Sequence, residues 1–166
     1  MNWPHIHLMI NHFPVVGLFL SIPLLVLAIV KKSEDLEQAA LGAFVLIALA
    51  TVPVYLTGEA SQNLVELLPG VSKGLIDTHE EAADLALVLI LLLGAVALGG
   101  LIFELRSKKV PRWFLVLVLA FALAVSGVTG LVANLGGKIR HPEVREGFVY
   151  PSGAVPEKGQ QQPSKQ

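Results

Sequence analysis

Charged residues are confined to a few short segments, and between them run four uncharged, mostly apolar stretches at 13–30, 38–58, 85–103 and 113–137, of 18, 21, 19 and 25 residues. Each is near the ~20 residues that a helix needs to cross the hydrocarbon core of a membrane. The pattern predicts an all-α integral membrane four-helix bundle of two antiparallel hairpins, with helices over about 4–30, 38–58, 78–105 and 112–137 in one domain, residues 1–141. Asn2 or Trp3 suits the cap of a first helix starting near Pro4. Thr78-His79-Glu80-Glu81 fits a capping box with Thr78 as N-cap and Glu81 at N3. Ala60–Leu68 reads as a separate short surface helix stopped by Pro69-Gly70. From Pro142 the chain turns to Pro, Gly, Gln and Ser, which predicts a largely flexible tail over 142–166.

Charge then orients the spans. Lys31 and Lys32 follow the first, and Arg106, Lys108, Lys109 and Arg112 follow the third, whereas the 59–84 connection has only Lys73. The positive-inside rule makes the two basic loops cytoplasmic. Both termini and the 59–84 segment then lie outside, which for a bacterial inner membrane is the periplasm. No basic segment precedes the first span and no small-x-small cleavage site precedes Lys31, so the span reads as a retained anchor rather than a signal peptide.

Composition narrows the chemistry. With 54% hydrophobic and 15% charged residues the chain departs from soluble enzymes, in which roughly 25% are charged. A net charge of −1 with only 12 Lys and Arg offers no nucleic-acid surface. The absence of Cys excludes disulfides, thiolate nucleophiles, Cys-ligated clusters and covalent c-type haem. No Ser/His/Asp, Walker or HExxH arrangement is present, which leaves soluble-type hydrolysis without support. A cofactor would have to be held by His, carboxylate, Met or packing.

All five histidines lie on the outer side of this topology: His5, His7 and His12 on the first helix, His79 at the start of the third, and His141 just past the fourth. Neutral imidazole is the usual axial ligand of b-type haem and a common metal ligand, and polar groups within spans are costly and mark function. Small residues nearby, including Ala82, Ala83, Ala86, Ser126 and Gly137, leave room for a flat cofactor or, equally, for close helix packing. Lys138 and Arg140 suit haem propionates as well as interfacial anchoring.

Each hairpin begins with histidine at its outer end and returns to a Thr-Gly pair, Thr57-Gly58 and Thr129-Gly130, which suggests a parallel repeat. Depth, counted at about 1.5 Å per residue from the basic loops, places His12 19 residues from Lys31, His5 26 from Lys31, His79 27 from Arg106 and His141 29 from Arg112. His5 with His79 fits straight helices; His12 with His79 requires tilt or an offset at Pro14. The alternative is a non-haem zinc, copper or iron site of His5 or His7 with His79, His141 and one of Glu80, Glu81 or Glu143, with His12 as a further ligand candidate.

The opening His7-Leu8-Met9-Ile10-Asn11-His12-Phe13-Pro14, Thr57-Gly58, the lone His79, and Thr129-Gly130 followed by Gly136-Gly137 and His141 together resemble a bacterial family of small four-span membrane proteins of unknown function. Its members share a His-x4-His-Phe-Pro start and a Thr-Gly…Gly-Gly end. The resemblance covers about residues 5–143. It implies a cytochrome b-like inner-membrane protein, with His7, His12, His79 and His141 at the matching positions. Ala-Asn-Leu between Thr-Gly-Leu-Val and Gly-Gly departs from the pattern and shifts the end of the fourth helix by a turn.

The reading that combines these signals is an electron-transfer protein rather than a stand-alone enzyme. It would bind haem b near its periplasmic face through His12 and His79, with His141 and His7 as the next candidates and Arg140 and Lys138 on the propionates. Its expected partners are membrane lipid, other membrane redox subunits or a periplasmic electron carrier, and a quinone. The competing readings are a His/Glu metal-binding protein and a structural subunit of a larger membrane complex.

Overall fold

The computed structural model describes residues 2–106 and 109–149. Five helices follow one another: α1 (Trp3–Ile10), α2 (His12–Lys31), α3 (Glu34–Glu66), α4 (Lys73–Leu105) and α5 (Arg112–Arg140), with a single 3-10 turn at Pro142–Val144. α1 and α2 together form the first of four long elements, Trp3–Lys31, and all four are long and apolar enough to cross a membrane. α2 packs beside α3 and α5, and α4 beside the same two, so the four elements close an up-down-up-down ring with α1 laid against α3.

The division of the first element has a local cause. Asn2 caps α1, its Oδ1 accepting from the His5 N–H at 3.1 Å, as one of the two expected caps. Pro14 has no N–H to give the carbonyl four residues earlier, that of Ile10, and α1 ends there. Asn11 then joins α1 to α2 in right-handed geometry, so the chain continues in nearly the same direction.

Each of the four long elements turns a stripe of three- and four-residue spacing inward. The buried positions are Pro14, Leu18, Ser21, Leu25 and Ala28 on α2 and Ala86, Ile90, Leu93, Ala97, Gly100 and Glu104 on α4. On α5 they include Leu115, Val118, Ala122, Val125 and Thr129. Such spacing keeps one seam facing a neighbouring helix along the whole element. The outer faces are equally apolar, with Phe19, Leu46 and Trp113 among the exposed residues. Small residues permit the closest approaches: a Cβ on Gly94 would collide with that of Ala48, and one on Gly100 would stand 2.6 Å from the Phe114 ring.

Two boundaries differ from the sequence pattern. Ala60–Leu68 does not form a separate helix, because α3 runs unbroken to Glu66 and stops at the Pro69-Gly70 turn, where Gly70 takes φ +77°. Nothing between Gly58 and Glu66 breaks a helix, and Ser61 is buried against the bundle. Likewise α4 begins at Lys73 after Ser72, one and a half turns ahead of the expected Thr78 cap. Burial of Ile76 draws that first turn onto the bundle, and the Thr78 hydroxyl donates back to the Gly74 carbonyl at 2.8 Å. Lys108 and residues 150–166, most of the expected tail, lie outside the described residues.

Replacing Gly94 by Val forces α3 and α4 apart and is expected to lower stability by about 1–3 kcal/mol, read as a lower thermal midpoint by circular dichroism in detergent. Gly99→Val, on open surface, should change it by less than about 0.5 kcal/mol.

Candidate histidine site

Two of the five histidines turn into the bundle. His7, on α1, brings its Nδ1 to 3.0 Å from the Val54 carbonyl of α3. His79, on α4, brings its Nδ1 to 3.1 Å from the Val132 carbonyl of α5. A carbonyl can only accept, so each Nδ1 carries the proton and donates it. Nε2 is then left with a free lone pair, the arrangement by which proteins orient a ligating imidazole. Each contact joins the helix that opens a hairpin to the helix that returns.

The same backbone pattern supports both rings. Four residues after each accepting valine comes a glycine, Gly58 or Gly136, against which the imidazole rests. A Cβ would stand 2.9 Å from His7 Cε1 at Gly58 and 3.1 Å from His79 Cε1 at Gly136. The glycine therefore makes the space the ring occupies. Thr57 adds a second contact at the first site: its Oγ1 is 3.3 Å from His7 Nδ1 and itself donates towards the carbonyls of Pro53 (2.8 Å) and Val54 (2.9 Å). Both histidines are partly buried, and they lie within electrostatic reach of each other. One turn along from His7 the Oδ1 of Asn11 is buried with no hydrogen-bond partner.

The hairpin repeat therefore exists in a register other than Thr-Gly against Thr-Gly. Val54 and Gly58 correspond to Val132 and Gly136, whereas Gly130 is exposed with open space around it. The Thr129 hydroxyl is turned back on the Val125 carbonyl at 2.8 Å. The three residues Ala133-Asn134-Leu135 that precede Gly136 carry the small residue six positions beyond Gly130.

The remaining candidates lie apart from this pair. His12 is exposed and lines a shallow cleft of about 170 Å³ with Met9, Phe13 and Val16 on the outer surface. His5 is exposed beside the Asn2 cap. His141 lies past the end of α5, its Nδ1 2.8 Å from Glu143 Oε1, and this hydrogen bond holds the Glu143 carboxyl below the usual range. Lys138 is partly buried and Arg140 exposed. Glu80 accepts from the Gln62 amide at 2.8 Å, bridging α3 and α4. Among the described residues no three His, Asp or Glu side chains gather in a way that could hold a metal ion.

Arg145 organises this end without having been singled out from the sequence. Its Nε donates to the Lys138 carbonyl at 2.8 Å and its Nη2 to the carbonyls of Ile139 (3.0 Å) and Gly70 (3.1 Å). It thereby satisfies the last carbonyls of α5 and ties them to the α3–α4 turn. A basic residue a few positions past a helix end is the available signal.

Compared with known protein families, with curated proteins and with solved structures, the chain matches none. The likeness to small four-span membrane proteins thus extends to the architecture of four long apolar helices.

In protein labelled with ¹⁵N-histidine, at a pH above the histidine range, the nitrogen shifts should report Nδ1–H imidazoles at both His7 and His79. Gly58→Val and Gly136→Val should each release the ring they face, and an unchanged tautomer in both variants would contradict the cradle.

Proposed function

We propose that this chain is a membrane electron-transfer protein binding one b-type haem between its two hairpins, with His7 and His79 as axial ligands. The observation that supports this most is the pair itself: two partly buried imidazoles from different hairpins, each held at Nδ1 by a backbone carbonyl, which leaves Nε2 as the nitrogen able to ligate. A porphyrin supplies four equatorial nitrogens and needs two protein ligands, whereas a zinc, copper or non-haem iron site needs three or more. Among the described residues no third donor gathers with the two histidines, which favours the haem. The residues present fit such a group in their donor chemistry, in the glycines that seat each ring, and in the buried Asn11 carbonyl oxygen still able to accept a hydrogen bond.

When bound, haem supplies one-electron oxidation and reduction of its iron. The protein's own residues set the conditions for it. Val54 and Val132, by accepting from Nδ1, fix the tautomer in which Nε2 carries the lone pair and increase its basicity as a ligand. Lys138 and Arg140, at the same end of the bundle, are the candidates for pairing with propionates. On the charge pattern of the loops this end faces the periplasm of a bacterial inner membrane. Electrons would then pass between a quinone or a membrane redox subunit and a periplasmic carrier.

The test is a reduced-minus-oxidised spectrum with a pyridine haemochrome assay on detergent-purified protein produced with haem available. A b-type spectrum is expected, lost in His7→Ala and in His79→Ala and kept in His12→Ala and His141→Ala. Loss confined to His12→Ala and His79→Ala would transfer the ligand role to His12, and a folded protein without haem would overturn the reading.

A further inference from the structure

The interior seams end in carboxylates at the end of the bundle opposite the histidines. Glu37, in the first turn of α3, is 9% exposed, and Glu104, in the last turn of α4, is 7% exposed. Glu37 stands ahead of Ala40, Leu41 and Phe44 on the buried face of α3, and Glu104 follows Ala97 and Gly100 on that of α4. Both carboxylate oxygens of Glu104 are buried, and neither has a hydrogen-bond partner. The Gln38 side chain acts on Glu104 without completing a hydrogen bond of normal geometry.

Several of the charges around the pair are engaged elsewhere, and Arg106, two residues past Glu104, is exposed. On α3, Glu34 bonds Lys109 at 2.8 Å, an exposed pair. At the start of α5, Arg112 donates through Nη2 to the Ile29 carbonyl of α2 at 3.0 Å. Lys109 and Arg112 act at a distance on Glu37, while Glu34 and Glu37 both bear on Glu104. The lysines ending α2, Lys31 and Lys32, are exposed. Glu104 thus faces like charge, the Gln38 side chain and apolar packing.

Burying an ionised carboxylate without a partner carries a large desolvation cost, and taking up a proton removes that cost. A protonated carboxyl also gains an O–H donor, which a neighbouring carboxylate or amide oxygen can accept. Ionisable groups that face the interior of a membrane bundle lie on pathways for ions or protons. A metal ion would require further donors, which do not gather here among the described residues. We propose that Glu104 and Glu37 form a proton-binding site at the basic end of the bundle, with Glu104 holding the proton and Glu34, Lys109 and Arg112 bordering its entry from solvent. The site is independent of the histidine pair and of what that pair binds.

Infrared spectroscopy of the full chain in liposomes at neutral pH should show a protonated-carboxyl C=O band that moves to lower frequency in D₂O. The band should vanish in Glu104→Gln and remain in Glu34→Gln, and Glu37→Gln should change the pH at which it titrates. Its absence from the unaltered protein, or its persistence in Glu104→Gln, would overturn the proposal. Should Glu104→Gln fail to fold, by size exclusion and helical circular dichroism, a lipid-soluble carbodiimide supplies the second measurement on the unaltered chain. It reacts with protonated carboxyls from the apolar phase, so mass spectrometry should find the label on Glu104, with less as pH rises. Absent or pH-independent labelling of Glu104 would equally reject the site.

Discussion

Closeness of fit decides which way each helix faces. Leucine, valine and phenylalanine cover the outside of the bundle as well as its interior, so hydrophobicity alone does not tell one face from the other. What differs is size and spacing. Gly94 meets Ala48, Gly100 meets Phe114 and Leu41, and Gly17 meets Ile47, each at a separation that a larger residue would not allow. The contacts set the distances between α2 and α3, α3 and α4, and α4 and α5. The polar groups of the interior depend on the rotations that follow.

Those polar groups fall into two kinds. Ser61, Thr51, Thr57 and Thr129 satisfy themselves by donating to carbonyls of the preceding turn, and so can be buried at little cost. His7, His79, Asn11, Ser126 and Glu104 retain an unused lone pair or an unpartnered oxygen. Packing stability does not require the second kind, since apolar residues of similar size would fill the same space. The histidines sit at one end of the seams and Glu104 at the other, with Ser126 midway along α5 between them.

The four long apolar helices and the hairpin plan were legible because long uncharged runs have few alternative structures. The stop at Pro69-Gly70 was legible too, but not the extent of α3 and α4 around it, because helix continuation there depends on burial of Ser61 and Ile76 rather than on local signals. Counting depth alone leaves His5, His7 and His12 as rivals. The seam separates them: reading back from Ala28 through Leu25, Ser21, Leu18 and Pro14 in steps of three and four reaches Asn11 and then His7, and leaves His12 on the outer face. The same steps on α4 lead from Glu104 back to Ala86 and on to His79. Matching Thr-Gly to Thr-Gly obscured the repeat, since the working unit is a valine carbonyl and a glycine four residues later, and the valine's identity carries no signal for a backbone acceptor.

The break at Asn11 gives Trp3–Ile10 a separate stability from the rest. α1 has no fully buried residue; it lies on α3 through half-buried Pro4, Ile6 and Ile10 and through the His7 imidazole against Val54, Thr57 and Gly58. A short helix with no fully buried side chain can peel away while α2 stays in place, so local opening of this segment takes less free energy than global unfolding. Anything that grips Nε2 of His7 closes that opening by mass action, since it binds only the docked form. Occupancy at the far side of the ring is thereby written into the amide exchange of Trp3 to Ile10, and the N-terminal segment acts as an indicator of whether the interior is filled.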